Sequence, residues 1–153
     1  MSHYGTLDEA KTYFANRLYT DAWDDVDDTK RTKALTMSTN LINRLNFAGE
    51  QVETTQTFPF PRKYVVGETT TTQTEVPTDI EEASYELALA LLDNDPAEFD
   101  PRIVTAKLGA ASVTMDTSYL PEYITAGIPS KEAWGYLKPY LRDVNSISLE
   151  RIN

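Results

Sequence analysis

Apolar residues recur at helical spacing in four stretches of this chain, and these stretches predict its main elements. In the first stretch, one apolar face runs from Leu7 to Leu18, which predicts a helix over residues 7–19. Thr6 precedes Glu9 by three residues, the spacing of a capping box, in which each side chain bonds to the other residue's backbone amide. The first helix is therefore expected to begin directly after Thr6.

A second helix is predicted to follow the acid-rich segment DAWDDVDD, residues 21–28. Aspartates favour helix starts because their carboxylates accept hydrogen bonds from the unpaired amides of the first turn. That preference places the start of the helix at Asp27 or Asp28. Its apolar face then extends to about Leu45, and Gly49 lies just past its end.

The third stretch has the clearest helical pattern. Thr78 and Glu81 repeat the capping-box spacing, and apolar positions recur at helical intervals from Ile80 to Leu92. Pro96 restricts the residue before it to extended angles, so the helix is expected to stop within the segment DNDP.

Two segments between and after these helices have a different character. Residues 50–77 contain FPFPR and a TTTTQT tract, and prolines with β-branched residues favour an extended arm or a ragged hairpin there. Residues 102–116 are rich in isoleucine, valine and threonine, which predicts two short strands turning near Gly109 or one long bent strand.

The last helical stretch begins at Pro129 and Ser130 and is predicted to span residues 130–141, interrupted or ended by Pro139. Residues 142–153 are predicted to form an extended arm.

Together these patterns predict a mainly α protein. It would be a small bundle of about four helices, with a helical core at about residues 6–48 and 78–95, an extended loop, a short β segment and a C-terminal arm. A length of 153 residues suits one domain, 1–153.

The charge of the chain argues against binding to nucleic acid. There are 14 lysines and arginines against 24 aspartates and glutamates, a net charge of −10. The imbalance is greatest over residues 75–100, which include nine acids and no basic residue, and such a surface repels phosphates. The aromatic residues are interleaved with few basic ones, which favours core or interface packing over base stacking.

The sequence contains few of the residue types and motifs on which catalysis usually depends. His3 is the single histidine and cysteine is absent, so neither a zinc ligand set nor a histidine-dependent triad can form. Phosphate-loop, dinucleotide and nucleophile-elbow motifs are also absent. The aspartates of residues 21–28 lack the glycine and the final glutamate of an EF-hand loop, which favours a solvated helix cap over a calcium site. We therefore predict no catalytic residues, no cofactor and no metal.

The order of segments in the chain is similar to that of a known family. YGTLDEAKTYF is followed by DAW, KALTMSTNLINRLNFAG, FPR, VPTDIEEASYELALALL, RIVTAKLGAASVTMD and IPSKEAWGYLKPYLRD. Over about residues 4–143 this order resembles that of the small head-to-tail connector, or adaptor, proteins of tailed bacteriophages. Relatives of those proteins are often labelled DnaT-like single-stranded DNA-binding proteins. The TTTTQT insertion between FPR and VP departs from the family pattern.

The resemblance implies a structural role. Subunits of that family form a ring, usually of twelve copies, that binds the phage portal protein on one side and a downstream tail or neck protein on the other. DNA passes through the channel without specific binding. The resemblance also implies a virion protein of the neck, made in the host cytoplasm, with no catalytic residues. No run of apolar residues approaches the length of a membrane span, so no membrane is expected as a partner.

Three sets of residues are candidates for contacts in such a ring. Ile147, Leu149 and Ile152 are spaced apolar anchors in the C-terminal arm, which either binds the portal or is a frayed terminus. The acids Asp79, Glu82 and Glu86 either line the channel, where they would repel phosphates, or face solvent outside the ring. Phe58, Phe60 and Arg62 are candidates for an inter-subunit loop.

Two other functions remain open. A single-stranded DNA-binding module would require a clustered basic surface and salt-sensitive binding. A small metal-dependent hydrolase using the aspartates of residues 21–28 would be stabilised by a divalent cation.

Overall fold

The computed structural model describes residues 2–94 and 120–142. The helices there are α1 (Leu7–Ala15), α2 (Asp21–Asp24), α3 (Asp28–Ile42), α4 (Thr78–Asp93), α5 (Glu122–Thr125) and α6 (Lys131–Leu137), and a 3₁₀ turn, Lys138–Tyr140, follows α6. The strands are β1 (Glu50–Gln51), β2 (Arg62–Val66) and β3 (Thr69–Thr72). The predicted fold class, mainly α with a short β segment, is confirmed.

Helix α1 begins as predicted and ends early. The Thr6 hydroxyl accepts from the Glu9 amide, and the Glu9 carboxylate accepts from the Thr6 amide, so the capping box is complete. The helix stops at Ala15 rather than residue 19, because the Asn16 amide turns back to the last helical carbonyls. Leu18 consequently leaves the predicted apolar face and is 75% exposed.

Helix α2 is a single turn that the sequence pattern does not predict. Its Trp23 is buried against Phe14, with ring centroids 4.6 Å apart. The Arg31 guanidinium covers the same indole at 5.3 Å and donates to the Trp23 carbonyl at 3.0 Å. Packing of this one aromatic side chain holds the turn in place.

Helix α3 starts where the aspartates predicted. The Asp27 carboxylate accepts from the Lys30 amide at 2.9 Å and caps the first turn. The helix ends at Ile42, three residues before the predicted end. Ser38 on its buried face meets Ser84 of α4 at 2.9 Å between hydroxyl oxygens, and these small side chains let the two helices approach closely.

Helix α4 is the centre of the fold. It begins at Thr78 and ends at Asp93, as the pattern predicted, but the predicted capping box at Thr78 is wrong. Pro77 occupies the cap position and offers no side-chain acceptor, so Thr78 already lies inside the helix.

Two hydrophobic clusters share α4. Ile80 and Leu87 point into the first, and Tyr85 and Leu89 into the second, on nearly opposite faces of the helix at about 100° per residue. The sheet-side cluster also includes Tyr4, Ile42, Phe47, Phe58, Phe60, Ile128, Trp134 and Leu137. The α1-side cluster also includes Ala10, Phe14, Trp23, Ala34 and Leu35.

The segment predicted as an arm or hairpin forms a three-stranded antiparallel sheet in the order β1-β2-β3. Val66 pairs with Thr69 across a two-residue turn whose Gly67 has a φ of 63°. A positive φ at this position suits the tight turns of β-hairpins. The sheet therefore projects a hairpin of residues 62–72 from the sheet-side cluster.

The C-terminal helix is shorter than predicted. Ser130 caps α6 by accepting from the Ala133 amide, in agreement with the predicted start, and Pro139 lies in the 3₁₀ turn that ends it. The short helix α5 was not predicted. The strand segment 102–116 and residues 143–153 of the predicted arm lie outside the described residues.

Within the ranges described, no helix combines the length and the apolar character needed to cross a bilayer.

Candidate functional site

Glu86 of α4 forms a buried ion pair with Arg17, which lies just after α1. The Arg17 Nε donates to Glu86 Oε1 at 2.6 Å and its Nη2 donates to Oε2 at 3.0 Å. The Tyr13 hydroxyl donates to Oε1 at 2.7 Å. The hydrogen bond to Glu86 raises the pKa of Arg17, and burial followed by the same carboxylate raises that of Tyr13. Both donors therefore stay protonated, and each oxygen of the carboxylate accepts at least one hydrogen bond.

This geometry corrects the expectation that Glu86 lines a channel or faces solvent. Glu86 is only 4% exposed, so it is not available to line a channel in this conformation. Asp79 is exposed and accepts from the Tyr140 hydroxyl at 3.0 Å, while Glu82 is half-buried. Burial, then the hydrogen bond to Asp79, raises the pKa of Tyr140 to about 12. Two of the three predicted acids thus remain accessible at the surface.

Arg62 is buried at the base of the hairpin, where its guanidinium binds backbone carbonyls. It donates to Ala48 at 2.6 Å, Gly49 at 2.7 Å, Pro59 at 3.0 Å and Phe47 at 3.3 Å. Burial lowers the pKa of Arg62. The side chain ties the turn after α3 to the proline-rich loop.

Phe58, Phe60 and Arg62 were expected in a loop between subunits, but the structure corrects this expectation by placing all three side chains in the interior of their own chain. The two phenylalanines are 9% and 1% exposed and pack in the sheet-side cluster, and Arg62 is 9% exposed. All three side chains stabilise their own chain. The two rings form aromatic contacts inside the chain, Phe58 with Tyr4 and Phe60 with Phe47.

The exposed part of the hairpin lies farther out. Val65 and Val66 are 65% and 78% exposed, and all four threonines of β3 are exposed. Strand β3 is at the edge of the sheet, with one side free of partners among the residues described. An apolar tip beside an open strand edge is a surface that proteins normally cover.

An acidic groove lies between α1 and α4. Its cavity is about 550 Å³ in volume, its carboxylates are Glu9, Glu81 and Glu82, and Arg17, whose guanidinium pairs with Glu86, also lines it. Burial raises the pKa of Glu81, and repulsion from Glu9, Glu75 and Glu82 raises it further. In the described part of the chain no basic side chain pairs with Glu81 or Glu82.

Tyr85 also lines this groove. Its hydroxyl is buried next to Gly5 and has no hydrogen-bond partner within residues 2–94 and 120–142. Burial is the largest effect on Tyr85 and raises its pKa, and the charges of Glu81 and Glu9 raise it further, so the phenol is neutral. The nearby Thr6 amide lowers this pKa, but it donates its hydrogen bond to the Glu9 carboxylate.

Glu81→Gln is expected to raise the melting temperature at pH 7. The pKa of Glu81 is raised in the folded state and ordinary in the unfolded one, so the ionised form destabilises the fold above the folded pKa. That cost decreases as the pH falls through the folded pKa and is lost below the ordinary value. Calorimetry should find a larger difference from wild type at pH 7 than at pH 4. Glu53→Gln, in an exposed loop, is the control, and an equal difference at both pH values would contradict the assignment.

The outer face of α3 is basic and has no acid on it. The exposed residues on this face are Lys30, Lys33, Met37, Asn40 and, just past the helix, Arg44. They lie about 150° around the helix from its buried face. No ion pair joins the three basic side chains to an acid in the ranges described. We call these five residues the basic face.

Three of the five aspartates of residues 21–28 have structural roles. Asp27 caps α3, Asp24 accepts from the Thr20 hydroxyl at 2.8 Å, and Asp28 pairs with Lys11 and Arg31 at 2.9 Å each. Nowhere in the described ranges do three or more acidic or histidine side chains converge as metal ligands. Ile147, Leu149 and Ile152, the candidate portal anchors, lie outside those ranges.

These features define a small, mainly helical protein with a projecting hairpin and with its acidic and basic surfaces on separate elements. Residues 2–151 match the family model described as "Putative DnaT-like ssDNA binding protein", and the chain belongs to that family. No curated protein and no solved structure matches the chain.

Proposed function

We propose that this protein is a non-enzymatic structural subunit that assembles with copies of itself into a ring, as the head-to-tail connectors of tailed phages do. The observation that carries the proposal is the projecting hairpin, with Val65 and Val66 in solvent and β3 open along one edge. The order of sequence segments described above supports the same role.

A hairpin of this kind suits a ring because ring contacts are heterologous, joining one surface of a subunit to a different surface of its neighbour. An apolar tip provides buried area in such a contact, and an open strand edge provides backbone hydrogen bonds. Five residues of extended β2 reach about 17 Å, far enough to cross onto an adjacent copy.

The acidic character of the chain suits a channel that lets DNA slide. A net charge of −10 repels phosphates, and Asp79, which is exposed on α4, is a predicted channel acid that remains available for the channel wall. The portal protein and a downstream neck or tail protein are the partners proposed for the two ends of the ring.

Light scattering after size-exclusion chromatography, with negative-stain microscopy, tests the proposal. We expect rings from the protein alone or on mixing with the portal protein encoded beside it. A Val65→Asp/Val66→Asp double variant should remain monomeric, because the tip is then charged. Thr54→Asp/Thr55→Asp, in the exposed loop before β2, is the matched control and should still form rings. A wild-type monomer that ignores the portal would refute the connector function.

Single-stranded DNA binding is the second candidate. Family membership supports it more directly than it supports the connector, since the family's description names this activity and no comparison names a connector. The structure adds the clustered basic surface that such binding requires, with Lys30, Lys33 and Arg44 on one face of α3. The net charge of the chain and the absence of aromatic side chains on that face weigh against it.

Oligonucleotide binding at graded salt concentrations tests this second candidate. If it is the function, affinity should fall steeply with salt, and Lys30→Gln/Lys33→Gln/Arg44→Gln should abolish binding. Lys131→Gln, at an exposed position on α6, is the control and should bind as wild type does. Binding unchanged in the triple variant, or absent from the wild type, would exclude the basic face as a DNA site.

A further inference from the structure

The basic face of α3 and the acidic groove between α1 and α4 are opposite in charge. Within the described ranges, neither the basic side chains of the face nor the groove carboxylates Glu9, Glu81 and Glu82 form an ion pair. The basic face points away from the side of α3 that packs on α4. Each charged surface is therefore free to meet an opposite charge on another molecule.

The two surfaces also agree in length. Lys30, Lys33 and Met37 share one side of a regular helix over eight residues, about 10 Å from the first to the last. The groove walls are residues 9–15 of α1 with Asn16 just past its end, and residues 78–85 of α4, and they have the same span of about 10 Å. A helix lying in a groove between two helices is a common mode of recognition. Met37 is 48% exposed on this face and would supply the apolar contact.

We propose that successive copies of this chain associate by placing the basic face of α3 of one copy in the acidic groove of the next. Lys30 and Lys33 would then meet Glu81 and Glu82, with Met37 against the tyrosine rings of the groove. The contact is heterologous, so it repeats around a ring. This inference rests on the proposed self-assembly and assigns it a second contact besides the hairpin.

The raised pKa of Glu81 fits a carboxylate that has no cation beside it in the single chain. Burial raises this pKa, and repulsion from three neighbouring acids raises it further. An incoming lysine would relieve the repulsion. An ion pair at the edge of such a contact contributes mainly to specificity and to the rate of association. The association is therefore expected to weaken as salt concentration rises.

Charge reversal provides a sharp test. Variant A carries Lys30→Glu/Lys33→Glu and variant B carries Glu81→Lys/Glu82→Lys. Each variant alone should fail to assemble, since it joins two acidic or two basic surfaces. An equimolar mixture should restore rings, because the acidic α3 of A fits the basic groove of B and the basic α3 of B fits the acidic groove of A.

Controls separate this inference from the proposed function. Circular dichroism and thermal melting establish that A and B are folded, and single variants Glu53→Lys and Lys131→Glu, at other exposed positions, should assemble normally. If A alone forms rings as wild type does, the charge contact is wrong while the connector function stands. If A assembles but loses affinity for single-stranded oligonucleotides, the basic face serves nucleic acid instead. If wild type forms no ring, both proposals fail.

Discussion

Arg62→Met is expected to lower the free energy of unfolding by about 3 kcal/mol, the largest loss we expect from a single polar side chain. Methionine fills the space of the arginine stem but leaves the carbonyls of Phe47, Ala48, Gly49 and Pro59 without their charged donor. Buried acceptors that lose a partner retain their full desolvation cost. For a chain of this length the loss corresponds to a fall of about 10 °C in melting temperature.

Two variants define what Arg62 contributes. Arg62→Lys keeps the charge but cannot reach four carbonyls at once, so we expect most of the loss to remain. Lys63→Met alters the next residue of β2, whose side chain is partly exposed and lies 4.0 Å from Glu50, and should change stability little. Urea unfolding followed by circular dichroism measures all three. Stability of Arg62→Lys close to wild type would show that charge, rather than the forked geometry, matters.

Arg17→Met is expected to cost about 2–3 kcal/mol, because it leaves the buried Glu86 carboxylate without its cation. We place the loss below that of a fully buried pair, since the Arg17 side chain is 27% exposed and water can partly replace it. The Tyr13 hydroxyl alone would then remain on the carboxylate.

A double-mutant cycle checks this assignment. Arg17→Met/Glu86→Leu removes both charges and should be more stable than Arg17→Met alone. Lys11→Met breaks only a surface pair with Asp28 and serves as the control for loss of a positive charge. Equal stability of the single and double variants would show that Glu86 does not depend on its pairing with Arg17.

Helices with local start signals were the most predictable part of this protein. Thr6, Asp27 and Ser130 each accept a backbone amide three residues ahead. The start of each helix was predicted from local sequence: the capping-box spacing at Thr6, the preference of aspartate for helix starts at Asp27, and the Pro129–Ser130 pair. Cap interactions involve residues close in sequence, so the sequence alone contains them. Thr78 had the capping-box spacing but lies inside the helix, because Pro77 occupies the N-cap position.

Elements that depend on distant contacts were missed. Helix α2 exists because Trp23 packs on Phe14 and under Arg31, and Leu18 is exposed because α1 stops at Ala15. Neither outcome follows from hydrophobic spacing, which records which residues are apolar but not which of them find a partner.

The candidate sites also combine features that the local sequence predicts with features that depend on distant contacts. An acidic α4 was evident from the sequence, but burial of Glu86 by Arg17 depends on where the chain turns after α1. The phenylalanines of FPFPR were expected at an interface, and they instead fill the core beneath the hairpin. The basic face of α3 was present in the sequence as Lys30, Lys33 and Arg44, at helical spacing. Their spacing places them away from the apolar face, but only the tertiary structure shows that no acid in the described ranges pairs with them.

The sequence by itself determined the mainly α class, the starts of the principal helices, the acidic net charge and the absence of cysteine and metal-ligand patterns. Only the tertiary structure decided which charges are neutralised inside the fold and which remain free on its surface. The physical reason is that helix formation and capping depend on neighbours within about four residues, whereas burial and pairing of a charge depend on residues far apart in the chain, such as Arg17 and Glu86.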